Sequence, residues 1–68
     1  MAVADSMLRS MIIKLLISRD IMNEDDIVGR FDALELQQRV QSILAEMVDD
    51  GTLAYSDIVD GLRAYRLR

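Results

Sequence analysis

The feature that most constrains this chain is a change of hydrophobic period at Gly51. Before it, Leu36, Val40, Ile43, Leu44, Met47 and Val48 recur at i, i+3, i+4 and i+7 spacing, which sets them on one face of a helix. After it the period is two. Leu53 and Tyr55 alternate with Ala54 and Ser56, and Tyr65 and Leu67 alternate with Ala64 and Arg66. Glycine suits the left-handed residue that ends a helix, because it lacks the Cβ that clashes there. The stretch from Asp32 to Arg68 therefore reads as a helix, a glycine stop and a two-stranded hairpin. Asp32 is placed as its N-cap, with Glu35 three residues on as an acidic variant of the capping box.

The hairpin register follows from the same pattern. A two-residue turn at Asp60-Gly61 would set Leu53 opposite Arg68 and Tyr55 opposite Arg66, mixing apolar and charged residues on one face. A three-residue loop, Val59-Asp60-Gly61, pairs Leu53 with Leu67, Tyr55 with Tyr65 and Asp57 with Arg63. Both faces are then consistent, and Gly61 takes the left-handed position of a bulged turn, so this register is preferred.

Upstream, Asp5 or Ser6 caps a first helix near residues 6–18. Leu8, Met11, Ile12, Leu15 and Leu16 form its core stripe. Ile13 and Ile17, extended by Val3, carry apolar surface further round than one small core needs. Ile21-Met22 reads as a short extended link or minimal edge strand. Asn23 caps a second helix near 24–31, whose first turn holds Glu24, Asp25 and Asp26 where the helix dipole favours negative charge. Gly29 weakens that helix. The third helix is expected near 33–50, and the strands near 52–57 and 62–67. The predicted core is Leu8, Ile12, Leu15, Leu16, Ile27, Phe31, Leu36, Val40, Ile43, Leu44, Met47, Leu53, Tyr55 and Leu67. Met7, Met11, Met22 and Met47 are read as core filler.

Composition narrows the function. At 68 residues, 1–68 is one domain, and a core that small is commonly supported by disulfides, metal or oligomerisation. The chain has no Cys and no His, which removes disulfides, thiolate chemistry, zinc sites and imidazole catalysis. No acid–base pair or activated serine is recognisable, so no enzyme activity and no cofactor or metal is expected. The acids at 24–26 lack the alternate spacing and glycine of a calcium loop. The apolar runs Met11–Ile13 and Leu15–Ile17 are too short for a membrane span, no signal-peptide pattern opens the chain, and a cytoplasmic protein is the expectation. Net charge is −4, unevenly spread. Residues 1–19 carry +2, residues 20–60 carry −9, and the last eight carry +3 through Arg63, Arg66 and Arg68.

The order helix, link, helix, turn, helix, hairpin resembles the winged helix-turn-helix superfamily. The stretch VQSILAEMVDDGTLAYS, Val40 to Ser56, followed by Tyr65-Arg66-Leu67, carries the resemblance: an apolar pair, acids, a Gly and a Leu that enters the first wing strand. It implies a mostly α fold, three helices plus a two-stranded wing. It also implies a small DNA-binding protein that regulates transcription, with the third helix in the major groove and the wing on the backbone; other members bind proteins. Carried onto this chain, Gln38, Gln41 and Ser42 would meet base edges, with Arg39 on guanine or phosphate, and Arg63, Arg66 and Arg68 would lie along the backbone. Glu35 and Glu46 beside them depart from a DNA-reading face. The wing tip departs too, since Ile58 and Val59 lie between Asp57 and Asp60 where basic residues are usual. The alternative is a protein–protein interaction module that uses this acidic surface and apolar tip. Either way a homodimer is expected, with Ile13 and Ile17 of the first helix at its interface, and double-stranded DNA or another protein as the partner.

Overall fold

The computed structural model describes residues 3–59 and 61–68, with the side chains of Asp57, Ile58, Val59 and Leu62 outside that description. The elements run α1 (Asp5–Arg19), β1 (Ile21–Asn23), α2 (Glu24–Val28), α3 (Leu34–Asp49), β2 (Leu53–Val59) and β3 (Leu62–Leu67). The protein is mostly helical, with a small antiparallel sheet ordered β1-β3-β2. The link after α1 is thus a true strand, and it pairs with β3 rather than with β2.

α1 starts after Ala4 without a side-chain cap, so neither Asp5 nor Ser6 takes the cap expected of it. It stops at Asp20, whose amide still donates to the Leu16 carbonyl at 2.8 Å while its backbone turns to φ 67° and ψ −58°. That sharp turn feeds the chain into β1. Asn23 then ends β1 and caps α2, its side chain accepting from the Asp26 amide at 2.8 Å. α2 is shorter than predicted. At Gly29 the α-helical pattern gives way to three-residue turns, Arg30 N–H to the Ile27 carbonyl and Phe31 N–H to the Val28 carbonyl, both at 3.1 Å. Weak helix propensity at Gly29 explains the early stop.

The Asp32–Glu35 capping box does not form. The N-cap is Ala33, one residue later, with no side-chain bond. The turn is held instead by Gln37, whose Nε2 donates to the Phe31 carbonyl at 2.8 Å. At its other end α3 closes as the period change requires. Gly51 sits at φ 86°; its amide donates to Val48 at 3.2 Å and the Thr52 amide to Met47 at 2.9 Å, the paired bonds of a glycine-terminated helix. Asp50 accepts from the Thr52 amide and hydroxyl and from Arg9 of α1, at 2.9, 2.6 and 2.8 Å. Those donors, the Thr52 hydroxyl first and then Arg9, lower the Asp50 pKa to about 2.

The hairpin register is the predicted one near its base: Leu53 pairs with Leu67 and Tyr55 with Tyr65. Toward the tip the register shifts between Ser56 and Val59, and Val59 pairs with Leu62. Val59 is therefore paired in β2 and is not part of a three-residue loop, as the sequence predicts; Asp60 lies outside the described residues, and the register carrying Asp57 opposite Arg63 does not continue to the tip. A bulge in β2 absorbs the extra residue. This is how the Val59–Leu62 pair coexists with an apolar-consistent base.

Leu8, Ile12, Leu16, Ile27, Phe31, Val40, Ile43, Leu44, Met47 and Leu53 are buried together, as the periodicity predicts. Leu15, Leu36 and Leu67 are only partly buried against them. Of the two tyrosines it is Tyr65 that is buried, while Tyr55 is 47% exposed. Tyr65 lies on the central strand, with Met22 of β1 on one side and Tyr55 on the other. Its hydroxyl donates to Glu24 Oε1 at 3.3 Å, and burial followed by the Glu24 charge pushes its pKa up to about 12. Met22 and Met47 are core residues, but Met7 and Met11 are 57% and 46% exposed.

Candidate functional site

Three surfaces carry the residues singled out by the sequence. The first is the solvent face of α3. Gln38, Gln41 and Ser42 are exposed there, alongside Leu34, Glu35, Ala45, Glu46 and Asp49. Acids alone supply the charge on that face. Arg39 sits at its flank and is turned toward α1, where its guanidinium donates to the Val3 carbonyl and to the Asp5 carboxylate. A guanidinium already held by a carboxylate offers less of its charge and fewer of its donors to a phosphate or a base.

The second surface is β3 and its end. The guanidinium of Arg63 lies 4.3 Å from the centroid of the Tyr55 ring, whose own ring is tilted against Tyr65 at 5.5 Å. Arg68 reaches back over the end of α3, with its Nη1 3.7 Å from where a Cβ on Gly51 would lie, a position the helix dipole favours. Arg66 is exposed on the outer sheet face, paired in register with Ile21 and Ala54. The structure does not bring Arg39 and the three strand arginines together as one bare basic patch. Arg39 is held by Asp5 and Arg63 lies over the Tyr55 ring, while Arg66 and Arg68 have no ion-pair partner among the described residues.

The third surface is α1, which is apolar nearly all round, a pattern found in helices covered on more than one side. Leu8, Ile12 and Leu16 face the core. Ile13 and Val3 pack partly buried against it, so the predicted Ile13–Ile17 patch is split. Ile17 remains 66% exposed and is joined by Ile21 of β1 at 45%. With Leu16, Asp20, Arg66 and Leu67 they line a shallow depression of about 340 Å³. Ile58 and Val59, the other predicted interface residues, have side chains outside the described residues.

On the opposite flank of α1, Met7 and Met11 are exposed; Lys14, Arg19 and Arg30 lie round Met11, and Met7 shares a depression with Met11 and Lys14. Sequence reasoning assigned these methionines to the core and did not single out the three cations. The available signal was the apolar character of α1 on both flanks, of which only the Ile13–Ile17 side was weighed. Among the described residues no helix is long and apolar enough to cross a membrane. Compared with family models, with characterised proteins and with solved structures, the chain matches none.

Proposed function

We propose that this chain is a protein-contact module on a winged-helix-like frame, and that it pairs with a second copy of itself through the end of α1 and β1. The observation that carries the reading is the Ile17–Ile21 patch. Its apolar centre is flanked by one acid, Asp20, and one base, Arg66, neither of which has an ion-pair partner among the described residues. A two-fold interface must be self-complementary, and a patch bearing one charge of each sign can set Asp20 of one copy against Arg66 of the other. Covering the exposed parts of two isoleucines on each of two copies is worth roughly 3–7 kcal/mol. Association costs about 4–15 kcal/mol, so even at the low end of that cost the net gain is only about 3 kcal/mol and the dimer is weak, with a dissociation constant on the order of several mM. Sedimentation equilibrium tests it. The parent should show reversible dimers at high concentration and Ile17→Glu should not, while remaining folded because residue 17 is mostly exposed. A parent that stays monomeric throughout removes the reading.

A DNA-binding transcriptional regulator is the second reading, and exposed Arg66 on the outer sheet face favours it. It requires Arg39 to share its guanidinium between Asp5 and DNA or to leave Asp5, and the acids of α3 to be tolerated beside phosphate. Binding to mixed-sequence duplex DNA that falls steeply with salt, and whose salt slope flattens in Arg66→Ala, would favour this reading over the first.

A further inference from the structure

We propose that the groove between α1 and the α2–α3 turn is a docking site for an acidic amphipathic helix of a partner protein. This rests on the reading of the chain as a protein-contact module, but it uses the flank of α1 opposite the Ile17–Ile21 patch. The groove has a volume of about 440 Å³ and is lined by Met11, Leu15 and Phe31, with Lys14, Arg19 and Arg30 around them. A second depression bounded by Met7, Met11 and Lys14 continues it toward the start of α1. Ser18 in the first depression and Ser6 and Ser10 in the second interrupt a floor that is otherwise apolar between the cations, and its methionines are flexible enough to fit side chains of differing shape.

The charge of the rim selects the occupant. The chain as a whole carries −4, yet Lys14, Arg19 and Arg30 gather at this one groove, and none has an ion-pair partner among the described residues. Three cations round an apolar floor match a ligand that is apolar along its centre and acidic along its edges. Backbone chemistry selects its conformation. α1 and the turn line the groove, so it presents no open strand edge to which an extended peptide could add. A helix satisfies its own backbone groups and can lay its i, i+4 and i+7 side chains into such a groove without leaving amides unpaired. A second copy of this chain fits less well. Its exposed acidic helix face, on α3, carries Glu35, Glu46 and Asp49 around Gln38, Ser42 and Ala45, and Leu34 at its start is the one large apolar side chain exposed there, too little to fill the floor.

The probe is a synthetic helix of ~14 residues, long enough for about four turns, with leucines at i, i+4 and i+7 and glutamates on both flanks. Titrated into the isotope-labelled protein, it should shift the amides of Met11, Lys14, Leu15 and Arg30 and saturate below ~1 mM. Replacing its leucines by alanine should weaken binding by about tenfold or more. Lys14→Glu combined with Arg30→Glu should abolish binding of the glutamate peptide and admit a peptide with lysines in place of the glutamates. Both positions are exposed, and Met11→Glu provides an independent variant at the floor. The inference is overturned if the peptide does not saturate or binds as tightly without its leucines. It is also overturned if charge reversal leaves affinity unchanged, or if duplex DNA displaces the peptide from these residues. Sedimentation of the same samples reads the self-association separately. A dimer that ignores the peptide sinks only this inference, and a monomer that binds it sinks only the dimer.

Discussion

Substitution of Gly51 reads the change from helix to hairpin directly, because two local structures predict opposite signs. Gly51 sits at φ 86°, in the left-handed region, and the nearest atom to an added Cβ is Arg68 Nη1 at an ordinary 3.7 Å. Gly51→Ala therefore meets no steric obstacle and is charged only for its backbone. An L-residue in the left-handed region costs about 1–2 kcal/mol, and loss of glycine freedom in the unfolded chain returns about 0.4–1 kcal/mol. The net destabilisation is roughly 0.5–1.5 kcal/mol, a fall of ~2–12 °C in Tm for a domain of this size. Asn tolerates the left-handed region better than Ala, and a β-branched residue tolerates it worse. Urea denaturation should rank the variants Gly, Asn, Ala, Val from most to least stable, with unchanged dependence on denaturant. If α3 instead ran through residue 51, Ala would stabilise by about 1 kcal/mol and Asn would be the poorer choice. That reversal would refute the helix stop and the hairpin built on it.

Other consequences can be checked on the same protein. Leu44 is fully buried at the centre of α3, so Leu44→Ala should lose about 2–5 kcal/mol by urea titration, enough to unfold much of so small a domain. The Asp50 carboxyl is held at about 2, below its ordinary 3.8, so its contribution to stability is present above pH 4 and is lost as pH falls toward 2. Arg9→Ala should shrink that acid-sensitive component, seen as a smaller drop in urea midpoint over the same interval. Tyr65 has its folded pKa raised from 10.0 to about 12, so folding is favoured below pH 10 and loses that support between pH 10 and 12. In a Tyr55→Phe background, tyrosinate absorbance should appear together with alkaline unfolding, and a phenol that titrates near 10 in the folded protein would contradict the buried placement.

Much of the fold was legible because period and punctuation agree. The α3 stripe, Asn23 as a cap, Gly51 as a stop and the Leu53–Leu67 register each follow from a local rule, and the structure keeps them. The departures arise where a neighbour distant in sequence decides. Tyr55 and Tyr65 carry the same alternation, yet β1 arriving beside β3 makes Tyr65 central and leaves Tyr55 on an edge strand. Val59 was misplaced in the loop because a bulge between Ser56 and Val59 is invisible to a period-two count. The capping box at Asp32 failed because the helix starts one residue later, with Ala33 as its N-cap, and the turn is held by Gln37 on the Phe31 carbonyl, a contact that spacing alone does not suggest. For the candidate site, α1 announced surplus apolar surface, but which flank lay open depended on where β1 and the N-terminal arm packed. Arg39 looked available in the sequence, and only tertiary structure places it on Asp5.

The central claim is that the working surface is α1 with its neighbours and not the solvent face of α3. Amide spectra of the labelled protein, recorded from ~10 µM to several mM so as to approach the expected dissociation constant, test it most directly. The account predicts concentration-dependent shifts confined to residues about Ile17, Asp20, Ile21 and Arg66, reversed on dilution and absent in Ile17→Glu. Spectra that do not change with concentration, or changes centred on Gln38, Gln41 and Ser42, would contradict it.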